Sequence, residues 1–179
     1  PQGNASTGLG IPYKSRDPSI YEMIHEKKLL KEGIKETIIP GLSIIGANTD
    51  LAAAEVELTS FDKREYTFTN IFKEIDNFDY VFIDCPPALG LLTINSLVAS
   101  DSALIPLQSE FFALEGLSAL MKTIELIQQS YNKKLEIEGI LLTMVDKRNS
   151  LSSLVEKDVR QHFEKKVYKT TIPRNIKIS

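Results

Sequence analysis

The 179 residues are 42% hydrophobic and 25% charged, which suits one globular domain with a buried core and excludes a disordered or low-complexity chain. Lys+Arg 21 against Asp+Glu 24 gives a net charge of −3, so the chain is not globally basic and any nucleic-acid contact must come from a local patch. One cysteine excludes an internal disulfide framework or a zinc cage of its own and agrees with a reducing cytoplasm; no apolar run reaches the roughly 18–20 residues of a membrane span.

Taken in order, residues 1–18 are rich in Gly, Ser, Asn and Pro and read as a loop. Pro18-Ser19 offers a helix start, with Ile20, Tyr21 and Ile24 on one face. The charge-dense stretch Glu26 to Glu36 reads as a solvated helix face and loop. Leu42 to Ala47 predicts a strand, and Asn48, Thr49 and Asp50 can each cap the helix that follows through Ala52 to Leu58. An amphipathic helix is expected over Phe68 to Ile75. Phe78-Asp79-Tyr80-Val81-Phe82-Ile83-Asp84 then reads as a buried strand running into Cys85-Pro86-Pro87.

A helix over about 90–99, a strand from Ser102 to Leu107 and a long helix from about Glu110 follow. Leu114, Leu117, Leu120, Met121, Ile124, Ile127 and Tyr131 form a stripe for packing on a sheet. Ile137 to Val145 predicts a strand, Leu151 to Phe163 a helix, and Val167 to Ile172 a last strand. Alternating strands and helices argue for an α/β fold with a mostly parallel twisted sheet and helices on both faces, its strands apolar along their length. Ligands in such sheets sit at the carboxyl ends of strands. Four polar clusters fall there: Asp84 to Pro87, Gln108 to Glu110, Asp146 to Asn149, and Pro173 to Asn175.

Val81-Phe82-Ile83-Asp84 has the shape of a Walker B element, in which a strand delivers one carboxylate to hold magnesium through a water. An Asp that simply caps the next element has the same local pattern. Pro86 and Pro87 tilt the balance, because they fix a rigid turn that donates no backbone hydrogen bonds. Cys85 has no adjacent basic partner and reads as a small packing residue rather than a nucleophile. The opening Pro1 to Gly10 is a glycine-bearing loop without the Gly-Lys-[Ser/Thr] ending of a Walker A loop.

Together these segments resemble the ParA-type ATPases of the ParA/MinD superfamily. Pro-Gln-Gly-Asn-Ala-Ser-Thr-Gly-Leu-Gly is similar to the continuation of that family's Asp-x-Asp-Pro-Gln-Gly-Asn element, and Phe-Asp-Tyr-Val-Phe-Ile-Asp-Cys-Pro-Pro to its Walker B. Gly90 to Leu97, Ile105 to Gly116, Leu142 to Arg148 and Ile172 to Lys177 resemble further family segments, in family order. The resemblance implies a P-loop NTPase-like fold and a deviant Walker A ATPase that uses ATP and Mg2+. It implies a homodimer when ATP-bound, non-specific DNA binding in the cytoplasm on the nucleoid, and a ParB-like partner that stimulates hydrolysis.

Residue by residue, the resemblance assigns Asp84 to magnesium, Gly3 and Asn4 to a switch-like loop, and Pro86, Asp146, Pro173 and Asn175 to nucleotide binding. Met144 stands where related GTPases place a lysine, which favours adenine over guanine; Asp146 as a plain loop cap stays open beside its base-side role. Arg148, Arg174 and Lys177 are the candidates for a DNA patch, with solvated surface charge as the alternative, whereas Lys133-Lys134 and Lys165-Lys166 read as ordinary surface. Pro1 in place of Met and an end in mid-loop create the expectation of a single ATPase domain over 1–179, shortened at both ends, whose lysine-bearing loop lies before Pro1 and which is itself inactive. A MinD-like membrane-cycling ATPase and a non-catalytic module on a decayed ATPase fold remain alternatives. A nitrogenase-reductase-like carrier would need cluster-ligating cysteines that one Cys cannot supply.

Overall fold

The computed structural model describes residues 2–110, 113–146 and 148–175, the side chain of Lys28 excepted. The chain divides into two compact units, Pro1–Ala99 and Ser100–Ser179.

In the first unit, the opening segment is not wholly loop: Asn4–Gly8 forms a short helix, α1. Its five residues are too few to show a periodic pattern. Helix α2 (Ile20–His25) starts where the sequence predicts, and Ser19 closes a capping box with Glu22. The Ser19 amide and hydroxyl donate to Glu22 Oε2 at 2.7 and 2.6 Å, and the hydroxyl accepts from the Tyr21 amide at 3.2 Å. A short helix α3 (Leu30–Gly33) leads into β1 (Ile34–Glu36), which pairs antiparallel with β2 (Ser43–Ile45). The charged stretch therefore ends in a strand, and the apolar strand at 42–47 shortens to three residues. Ladder pairing rather than composition sets both limits.

Helix α4 (Leu51–Glu57) follows a turn in which Asn48 Oδ1 accepts from the Asp50 amide at 3.1 Å. Helix α6 (Leu91–Ala99) packs against α4 and against α5 (Thr67–Phe72), which also meets α2. Asn95 of α6 is fully buried and joins the two, its Oδ1 accepting from the Phe68 amide at 3.2 Å and its Nδ2 donating to Leu91 O at 2.9 Å. Met23, Leu30, Leu51, Leu58, Ile71 and Leu92 make the core.

The expected strand at 78–84 is a correction: these residues are in no strand, and Tyr80 and Phe82 are 80% and 85% exposed. Apolar side chains create a demand for burial, but a strand also needs a ladder partner, and none pairs with this segment among the described residues.

The second unit is built on a parallel pair, β3 (Ser102–Gln108) and β4 (Glu136–Thr143), joined by α7 (Ala113–Ser130). The register runs from Ser102 opposite Glu136 to Gln108 opposite Thr143, with an irregularity between Ala103 and Leu104. Of the α7 stripe, Leu117, Ile124 and Ile127 are buried, Leu114, Leu120 and Met121 half-buried, and Tyr131 exposed. In β3 the burial alternates, with Ile105 and Leu107 inside and Leu104 and Pro106 outside.

Helix α8 (Ser150–Phe163) is capped by Asn149, whose side chain accepts from the Leu151 amide at 3.0 Å. The chain then returns beside β4. Residues 167–173 make two parallel bridges, Val167 to Ile140 and Pro173 to Val145, instead of the continuous last strand expected. Tyr168 N donates to Ile140 O and Ile172 N to Leu142 O, both at 2.9 Å. Pro173 has no amide to continue such a ladder.

Candidate functional site

Gly3 sits in the left-handed region at φ 67°, immediately before α1. A Cβ there would fall 2.7 Å from Ala47 O and would also meet the Arg16 guanidinium, so conformation and space both require glycine. Arg16 is only 6% exposed. Its Nη1 donates to Ala47 O at 3.1 Å, its Nη2 to Thr7 Oγ1 at 2.8 Å, and its Nε and Nη2 to Ile11 O at 3.4 Å. The ring of Tyr13 lies 5.5 Å from its charged carbon. Ser6 Oγ accepts from the Ala47 amide at 3.2 Å. The loop is thus pinned to the end of β2, and it leaves Asn4 exposed, its Nδ2 donating to Gln2 Oε1 at 3.1 Å.

Asp84 is exposed at the end of the apolar run 78–84, and Pro86 behind it is half-buried. Desolvation of the Cys85 sulfur raises its thiol pKa, opposed by a hydrogen bond with Ser96 and reinforced by the Asp84 charge. That shift disfavours the nucleophilic thiolate at neutral pH. The turn after Asp84 is tied to α6: Thr93 Oγ1 donates to Ala88 O at 2.6 Å. The first turn of α6 is in turn held from α4, where Glu55 accepts the Leu91 and Leu92 amides at 2.7 and 3.2 Å. Helix-opening amides have no partner within their own helix, and a carboxylate suits them by charge as well as geometry.

In the second unit, Asp146 and Arg148 lie past the end of β4 and form a closed pair. The carboxylate accepts Arg148 Nε at 3.1 Å, Nη2 at 3.0 Å and the Arg148 amide at 3.0 Å. These bonds from Arg148, together with the charge of Arg174, hold the Asp146 carboxyl down at about 2. The segment 173–175 reaches the same place, with Arg174 N donating to Val145 O at 3.1 Å. Met144 adopts φ 53°, an uncommon conformation for a residue with a side chain and one that concentrates at functional turns.

The structure therefore gathers Asp146, Arg148, Pro173, Arg174 and Asn175 at one end of the parallel strands of the second unit. Gly3, Asn4, Asp84 and Pro86 belong to the first unit, and Lys177 lies outside the described residues. Sequence reasoning missed Arg16 and Glu55. Each left a faint signal: a lone arginine in a loop rich in small residues, and the first acid of the Ala-rich run Leu51-Ala52-Ala53-Ala54-Glu55.

A parallel strand pair joined by a helix, with polar loops at its strand ends, is an α/β arrangement, and the likeness to a solved structure makes its class P-loop NTPase-like. A solved structure, cobyrinic acid a,c-diamide synthase from Mycobacterium smegmatis with bound ATP analog and magnesium, superposes with a TM-score of 0.89 at 35% identity, covering 98% of this chain and 72% of that one. Residues 1–137 match the AAA_31 family model, described as an AAA domain. The chain is 47% identical over its whole length to the chromosome partitioning protein ParA of Caulobacter vibrioides, covering 68% of that protein. It is 46% identical to the sporulation initiation inhibitor protein Soj of Bacillus subtilis, covering 71%. The chain belongs to the ParA/Soj family of chromosome-partitioning P-loop ATPases. No helix among the described residues is long and apolar enough to cross a membrane.

Proposed function

We propose that this chain carries the magnesium-side and base-side parts of an ATPase that closes as an ATP-bound homodimer, binds DNA of any sequence on the nucleoid, and is released when a ParB-like partner stimulates hydrolysis. The observation that carries this reading is the match along the entire chain to a chromosome partitioning protein, 47% identical.

The donor set around Asp84 fits magnesium. One exposed carboxylate stands there, and among the described residues no group of three or more His, Cys, Asp or Glu gathers into a protein-only cage. Magnesium takes one or two carboxylates and fills the remaining positions with water and phosphate oxygens. When bound it neutralises charge developing on the phosphates. The phosphate loop itself is not among these 179 residues, which contain no Gly-Lys-[Ser/Thr] sequence. On their own they are expected not to turn over ATP. Because Arg148 occupies both oxygens of Asp146, adenine recognition falls to backbone groups and to the Pro173–Asn175 loop.

Arg148 is the first candidate for DNA phosphate contact, its side chain 88% exposed; Arg174, whose amide donates to Val145 O, and Lys177, further along the chain, are the others. A chain of net charge −3 needs such a concentrated patch, and a dimer doubles it. In the full-length protein, Arg148→Ala with Lys177→Ala is expected to weaken binding alike on two unrelated duplexes and to flatten the fall of log K with log salt. ATP-driven dimerisation is expected to survive. Wild-type affinity in the double variant, or strong preference for one duplex, would refute this DNA surface.

A further inference from the structure

Among the described residues no side-chain hydrogen bond holds Asp84, and the turn that follows it is anchored to α6. Glu55 reaches across from α4 to grip the start of α6, with one oxygen on each of the Leu91 and Leu92 amides. Gly90 completes the arrangement: a Cβ there would stand 2.6 and 2.7 Å from the two Glu55 oxygens, so a larger residue would push the carboxylate from its present place. The middle of the turn is fixed by Thr93 on Ala88, and Cys85 Sγ donates to Ile83 O at 3.6 Å, spanning Asp84. The contacts from Glu55 reach Ala88, the rigid Pro86-Pro87 pair leads back from there to Asp84, and all of them lie within the first unit.

We propose that Glu55 is a positioning residue for Asp84: by clamping the first turn of α6 it fixes the turn that aims the Asp84 carboxylate. The proposal rests on the reading that Asp84 serves magnesium. Groups that orient a metal-side ligand without touching the metal typically change metal affinity by about 10- to 100-fold when removed. Glu55→Gln keeps the side chain's size but loses the charge and one of the two acceptors. Gly90→Ala keeps the carboxylate and displaces it.

In the full-length protein, ATP turnover is measured against magnesium concentration for wild type, Glu55→Gln, Gly90→Ala and Asp84→Ala, together with amide hydrogen exchange at Leu91 and Leu92 and thermal unfolding. Glu55→Gln and Gly90→Ala are both expected to speed exchange at those two amides and to raise the half-saturating magnesium concentration about 10-fold, with turnover largely restored at saturation. If Glu55→Gln fails to fold, Gly90→Ala gives the same reading. Faster exchange and a lower melting temperature with unchanged magnesium half-saturation would make Glu55 a structural cap only and overturn the proposal. If Asp84→Ala itself leaves the magnesium dependence unchanged, the magnesium assignment of Asp84 fails, and the proposal with it.

Discussion

Arg148, the residue proposed for DNA contact, is already engaged, because Asp146 takes two of its guanidinium nitrogens and its amide. The folded-state pKa of Asp146 is lowered, to about 2, so whatever the pair contributes is fully present above the ordinary carboxylate range and is lost as pH falls through about 2. At neutral pH the pair is therefore formed, and a phosphate must compete with Asp146 for Arg148. Asp146→Asn should release the guanidinium and steepen the salt slope of DNA binding by about 1, measured by titrating one duplex at several salt concentrations. An unchanged slope would take Arg148 off the DNA surface. A fall in nucleotide affinity instead would place Asp146 at the base.

Among the elements, α2 shows how far a local pattern carries. Ser19 and Glu22 stand three apart before an apolar face, and the structure closes both bonds of the box. Burial raises the pKa of Glu22, but the hydrogen bonds from Ser19 outweigh it and leave the carboxyl below its usual value. That contribution is present above the unfolded value of about 4.3 and lost as pH falls through the lower folded one. Ser19→Ala should lower stability by about 1 kcal/mol at pH 7, read from urea unfolding, and the gap from wild type should narrow below about pH 4. A gap independent of pH would mean that the Glu22 half of the box contributes nothing.

The elements that the sequence did not disclose fail for a different reason. The strand expected at 78–84 and the short β1–β2 pair depend on which segments meet, information that alternation within three to seven residues does not hold. Arg16 and Glu55 were barely legible on the same ground: Arg16 acts on Ala47, 31 positions away, and Glu55 on Leu91, 36 away. The long helices α7 and α8 and the β3–β4 pair were legible, because their periodicity extends over several turns or their apolar runs are bounded by polar loops.

For the molecule as a whole, the order of its segments carried the family, and the structure added where the candidate residues gather within each unit. Magnesium at the Asp84 turn is the claim on which the enzymatic reading depends. The most direct test is steady-state ATP turnover of the full-length protein with Asp84→Ala across a magnesium titration, alongside circular dichroism to confirm the fold. Turnover should fall by about 10-fold or more with the fold intact; turnover within about twofold of wild type, less than roughly 0.5 kcal/mol of barrier, would contradict the assignment of Asp84 as the magnesium-side carboxylate.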